Sequence, residues 1–139
     1  MSQNQFEVIK KTDDNSAEYW SSRELAKVLE YTDYRNFLGV IEKARTACEN
    51  SKELIHNHFV EADEMVVIGS GAEKPVETTY LSRYACYLIV QNSDPTKVVV
   101  AKGQTYFAIQ TRRQEKTDDL MEDNKRVFLR EEMKKHNKV

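Results

Sequence analysis

Two cysteines in 139 residues are too few for a disulfide framework. Cys48 and Cys86 both fall inside apolar helical patterns, which suits buried thiols in a reducing compartment and points to the cytoplasm. No apolar run approaches the roughly 20 residues that span a bilayer, so no membrane partner is expected. The first residues, MSQNQFEVIKK, lack the apolar centre of a signal peptide. Glycine is equally scarce. Of four glycines only Gly69 and Gly71 lie close together, and that pair has no third glycine, no Walker lysine and no βαβ setting. No nucleotide fingerprint exists, and no cofactor is implied. Three histidines offer little more: His56 and His58 stand near Glu53, but on a short helical turn the two rings would point to different sides. A metal nuclease using Glu53, His56 and His58 therefore ranks a distant third, no metal site is assigned, and Ser82 and Cys86 read as a helix cap and a core thiol. The sequence reads as non-catalytic.

What is present is ordinary in amount and uneven in placement. Hydrophobic residues make up 40% and charged residues 32%, enough for one domain with a real core. The net charge is −2, but residues 1–79 hold nine Lys/Arg against fifteen Asp/Glu, while residues 80–116 hold six against two. Residues 117–139 hold six of each. An acidic first half thus masks a basic later segment, which suits a surface for phosphate or for an acidic protein.

Phe6–Lys10 and Ala17–Trp20 read as short strands around the turn-rich residues 12–16, giving a first hairpin. Ser21 and Glu24 form a capping box, with Trp20 and Leu25 placed as its hydrophobic staple, and the short helix that follows buries Leu25, Val28 and Leu29. Thr32 offers the next cap, for a helix burying Tyr34, Phe37, Leu38, Ile41, Ala44 and Cys48. The two helices, joined tightly at Tyr31-Thr32, have the look of a helix-turn-helix pair. Leu54–Phe59 reads as a further helical turn. Met65–Ile68 and Val76–Tyr80 flank a glycine-containing loop as a second hairpin, whose tip carries Lys74 offset by Glu73, too little for a basic wing. Ser82 caps a helix with Leu81, Ala85, Leu88 and Ile89 on its apolar side, ending at Gln91-Asn92-Ser93. Asp94-Pro95 then opens a helix to about Gln114, and a last amphipathic helix, Asp118–Lys135, carries Leu120, Val127, Phe128 and Leu129. The class is α+β: two short hairpins with about five helices, residues 1–116 forming the domain. Residues 117–139 are expected to form a terminal amphipathic helix, truncated from a longer protein and open to homodimer contact.

Within the Pro95 helix, Val98, Val99, Gly103, Tyr106, Phe107 and Ile109 make a broad apolar side. Lys97, Gln104, Thr105, Ala108, Thr111 and Arg112 cluster opposite, small and hydrogen-bonding residues with cations at both ends, as close approach to a sugar-phosphate backbone requires. Lys102, Tyr106 and Arg113 lie on one flank, where cations can edge a groove and the ring can stack on a base. Arg83 joins this basic segment, and Arg23, Arg35, Lys43 and Arg45 supply a second patch on the helical pair.

The stretches YLSRYACYLIVQNSDP (80–95) and AKGQTYFAIQTRRQ (101–114) closely resemble the DNA-damage-inducible protein D family, as do WSSRELAKVLEY (20–31) with YRNF (34–37), and ACENS (47–51). More distantly, the 20–31 and 80–107 regions resemble the BRO N-terminal domain of viral and phage proteins. The resemblance implies a BRO-N-like fold and a bacterial SOS-response protein about twice this length. It implies modulation of the RecA recombinase on single-stranded DNA, with DNA (single-stranded favoured) or the recombinase filament as partner and no catalytic residues. The competing expectation is a module that touches the filament and not DNA, favoured by the acidic first half.

Overall fold

The chain enters its fold through a helix where the sequence predicts a strand. In the computed structural model, which describes residues 4–113, helix α1 spans Gln5–Ile9. Asn4 starts it: the Asn4 Oδ1 accepts from the amides of Phe6 (2.9 Å) and Glu7 (3.4 Å). Phe6 and Ile9 are three apart and turn inward together, a spacing that a helix satisfies and a strand does not. Strand β1 is only Lys11–Thr12. Asp13 Oδ1 then collects the amides of Asn15 and Ala17, both at 2.9 Å, and turns the chain into β2, Glu18–Ser21. A hairpin forms here, but its first strand is Lys11–Thr12 and not the expected Phe6–Lys10.

Helix α2, Ser22–Val28, is capped as expected by Ser21, whose Oγ accepts from the Glu24 amide at 3.5 Å. The reciprocal half of the box is not made, because the Glu24 carboxylate takes Lys11 Nζ at 2.8 Å. Trp20 and Leu25 are both fully buried. Glu30 ends the helix in the left-handed region, φ 64°, with the Tyr31 amide bonded to the Ala26 carbonyl at 2.9 Å. Helix α3, Tyr34–Asn50, is capped by Asp33 and not Thr32, the carboxylate accepting from the Arg35 amide at 2.9 Å. Phe37, Ile41, Ala44 and Cys48 are buried, but Leu38 is exposed, against expectation.

A 3-10 turn, Ile55–Asn57, leads into β3, Phe59–Val67, which pairs along its whole length with β4, Glu73–Leu81. The second hairpin is longer than predicted: Val60-Glu61-Ala62-Asp63 keeps the alternation of a strand, and Glu64 at a half-buried position followed by exposed Met65 breaks it. Gly71 closes the loop at φ 83°. The four strands lie in the order β1-β2-β4-β3, all antiparallel, leaving β3 at an edge.

Ser82 caps α4, Arg83–Gln91, accepting from the Ala85 amide at 3.0 Å. Asp94 accepts from both the amide (2.9 Å) and hydroxyl (2.7 Å) of Thr96, yet residues 95–97 form a turn, and α5 runs over 98–113. Its buried line is Val100, Gly103, Tyr106 and Phe107. Val98, at 69% exposure, and Ile109 point outward, which corrects the apolar side read from sequence. Gly103 explains the rotation: a Cβ there would stand 2.9 Å from Phe6 Cζ and 3.2 Å from Val90 Cγ1, so α1 and α4 close onto the bare backbone. Trp20 and Phe6 each meet Phe107 edge-on at 5.3 Å, and Trp20 Nε1 donates to the Phe6 carbonyl at 2.9 Å. The expected terminal helix and its dimer contact, at 117–139, lie outside the described residues.

Candidate nucleic-acid interface

With its inner line locked into the core, α5 presents a fixed outer surface. A groove of about 660 Å³ runs along it, lined by Asn4, Pro95, Thr96, Val98, Ala101, Lys102, Thr105, Tyr106, Ile109, Gln110 and Arg113. No carboxylate is among these residues. Lys102, Arg112 and Arg113 are exposed on the helix, Lys102 standing about three turns before the two arginines. Lys97 sits 4.6 Å above the Tyr31 ring, a cation–π contact that holds it at the head of the helix. The floor between the cations is partly apolar, from Val98 and Ile109.

The other residues named from sequence are placed differently. Gln104 is half-buried and donates its side-chain amide to the Val90 carbonyl at 3.0 Å, so it ties α5 to α4. Tyr106 belongs to the core: its ring stacks on Phe6 at 5.5 Å and meets Phe107 edge-on at 4.9 Å, while its hydroxyl donates to Glu7. With Phe6 on that ring face, Tyr106 is a core aromatic and not a stacking platform for a base. Burial first, and the Glu7 carboxylate second, push the phenol's pKa up. Hydrogen bonds from Lys10 and then Tyr106 hold Glu7 below its ordinary value of 4.5. Arg83 forms an ion pair with Glu18, which Lys10 also approaches at 3.4 Å. These groups link α1, β2, α4 and α5 through charge.

The second patch divides. Arg35 and Lys43 are exposed on α3. Arg23 instead donates from Nε to the Glu77 carbonyl at 2.6 Å and lies 4.2 Å over the Tyr34 ring, while Arg45 pairs with Glu61 and sits 5.4 Å from the Phe59 ring centre. Both therefore brace the long hairpin against the helical pair.

Among the described residues no three His, Cys, Asp or Glu side chains gather to hold a metal ion. His58 Nδ1 is 2.7 Å from Ser82 Oγ and its Nε2 lies 3.8 Å from Glu53, with His56 exposed and apart from both. Cys48 and Cys86 are free and buried, as their apolar helical settings suggest, and burial raises the pKa of each thiol. No helix among the described residues is long and apolar enough to cross a membrane.

The sequence pattern does not display the acidity of the second hairpin. In the observed register Asp63 stands directly across from Glu77, with Glu61 and Glu73 on the same alternate-residue face. The signal is the alternation Val60-Glu61-Ala62-Asp63, cut short where Glu64 falls on the half-buried face and Met65 on the exposed one.

The family described as the BRO family, N-terminal domain, matches residues 6–108. The chain belongs to this family. The match begins in α1 and ends within α5, so this BRO N-terminal domain carries Arg112 and Arg113 just past the matched span. It is also similar to DNA damage-inducible protein D of Escherichia coli (strain K12), 56% identical over 138 residues, which cover 96% of this chain and 50% of the relative. The family resemblance read from sequence is thereby borne out, and the chain spans about half the length of the curated relative it matches. No solved structure matches.

Proposed function

We propose that this BRO N-terminal domain is a non-catalytic, DNA-associated regulatory domain of a bacterial damage-response protein, contacting single-stranded DNA along the outer surface of α5. The observation that carries the reading is the groove beside Lys102 and Arg113, lined without a carboxylate on a chain whose net charge is −2. Phosphate is drawn most strongly to a cationic surface whose lining holds no acid, and here that surface is a rigid helix. Lys102, Arg112 and Arg113 contact the backbone, with Lys97 at the head of the helix and Arg35 and Lys43 as a separate, weaker patch. The DNA-damage name of the similar E. coli protein supports placing this activity in the damage response. Modulation of a RecA-type recombinase on single-stranded DNA is the finer form of the proposal.

Binding of fluorescent single-stranded and duplex DNA at two salt concentrations tests it. Each single-strand phosphate that the protein neutralises adds about 0.7 to the slope of log affinity against log salt. Arg112→Ala/Arg113→Ala is expected to lower that slope by about 0.7 for each phosphate the arginines neutralise, at unchanged thermal stability. Tight binding with an unaltered slope in the double variant would remove α5 from the interface. The second reading, contact with a recombinase filament and not with DNA, is favoured by the acidic hairpin. Binding to a preformed filament but to neither bare DNA would select it.

A further inference from the structure

We propose that the β3 edge of the long hairpin is a docking site for an extended, lysine- or arginine-bearing segment of a partner protein, which adds as a fifth strand beyond β3. The inference is independent of the DNA reading and concerns a different surface.

Three observations combine. First, β3 is the edge of the sheet, and among the described residues no backbone hydrogen bond outside the strand ladder involves residues 60–67. A nine-residue edge with one side unpaired presents alternate amides and carbonyls as a template for another strand. Second, the edge exposes apolar side chains that an added strand would cover: Val60, Met65 and Val67, the last at 71% exposure. Neither lysine nor proline interrupts β3, the two residues that most often blunt such an edge.

Third, charge selects the occupant. Asp63 and Glu77 face each other across the strands, a like-charge pair that weakens the hairpin, and neither has an ion-pair partner among the described residues. A cation on an added strand next to Asp63 relieves that repulsion. A second copy of β3 does the opposite. Antiparallel pairing of two copies about Asp63 sets Asp63 directly against Asp63, with each Glu61 diagonal to the other copy's Asp63. The same acids repel nucleic acid phosphate. A basic polypeptide in extended form fits the edge on all three counts.

The probe is a labelled octapeptide alternating lysine and valine, titrated against the full chain by fluorescence anisotropy. A control peptide carries proline at two of its valines and cannot continue a ladder. The expected result is saturable binding, weakened at least about tenfold by proline in the peptide and by Asp63→Lys/Met65→Lys in the chain. Amide exchange should slow within β3 when peptide binds. Both substituted residues are exposed, and a melting temperature no lower than that of the wild type verifies the fold. Arg112→Ala/Arg113→Ala should leave peptide affinity unchanged, which separates this result from any failure of the DNA reading. Equal binding of the proline peptide, or full binding by the Asp63→Lys/Met65→Lys chain, would overturn the proposal. Self-association of the wild-type chain with β3 amides protected would overturn it in favour of a second copy.

Discussion

Helix α5 and the β3–β4 hairpin are built in opposite ways. α5 is anchored along one side by Val100, Tyr106 and Phe107, so its cations stand on a surface whose geometry the core dictates. The hairpin is anchored near its base by Phe59 and Leu81, beyond which Thr78 and Thr79 are its only buried residues. Its outer half carries acids and exposed apolar side chains. Rigid cations suit a repetitive polyanion, where position matters little and field matters much. A strand edge with unpaired backbone suits a polypeptide, where register and hydrogen bonding matter. A net charge near zero hides both. Separate positive and negative regions, not the total, carry the functional information.

The contrast breaks most visibly in the core. Phe107→Ala removes a fully buried ring in contact with Phe6, Trp20 and Tyr106 and is expected to cost about 3–5 kcal/mol. Val67→Ala on the hairpin should stay within about 0.5 kcal/mol. Urea denaturation of the two variants measures the difference. A cost for Phe107→Ala no larger than for Val67→Ala would mean that α5 is not anchored as described, and the fixed cationic surface would go with it.

A smaller effect is expected where α1 is pinned to α5. Tyr106→Phe deletes the hydroxyl that donates to Glu7, at a cost of about 1 kcal/mol after allowing for the exposure of the carboxylate. The pH dependence has a definite sign. Glu7 has a folded pKa below its ordinary 4.5, so its contribution is fully present above that pH and is lost as pH falls through the folded value. Removing Tyr106's hydroxyl leaves Lys10, the larger cause, in place. The variant should therefore lose less stability than wild type between about pH 6 and about pH 3, without losing the dependence altogether. An identical pH profile for the two proteins would show that the bond contributes nothing in solution.

These sites also separate what a sequence displays from what it conceals. The Ser21 and Ser82 caps are legible because cap and helix are adjacent in the chain and the hydroxyl acts on an amide three residues on. The basic segment is legible as composition, and the exposed positions of Lys102, Arg112 and Arg113 agree with it. The fate of Arg83 is not, since Glu18 lies 65 residues away and no local pattern links them. Nor is that of Tyr106, because a tyrosine on an apolar flank reads alike as core or as stacking platform until its neighbours are known. The phase of α5 is ambiguous for a related reason: three successive valines at 98–100 leave several faces nearly equivalent, and the glycine contact with Phe6 and Val90 chooses among them. The hairpin is only half legible because Glu64 on the half-buried face, followed by exposed Met65, breaks the alternation that Val60-Glu61-Ala62-Asp63 begins, and the acids distinguish its surface from that of α5.

The smallest effect bears most directly on why the hairpin is acidic. Asp63→Lys turns the like-charge pair with Glu77 into an opposite-charge pair and is expected to stabilise the chain by about 0.2–1 kcal/mol. The gain should shrink in high salt, because both side chains are exposed. Thermal unfolding at low and high salt provides the measurement. The same substitution should weaken peptide binding at the edge while leaving DNA binding intact or slightly stronger, through the field of the added positive charge. Stability and partner recognition would then be opposed at one residue, as expected where a surface is kept locally unfavourable for its partner's sake. A neutral or destabilising Asp63→Lys would mean that the cross-strand repulsion is already screened, and the hairpin's acidity would need another explanation.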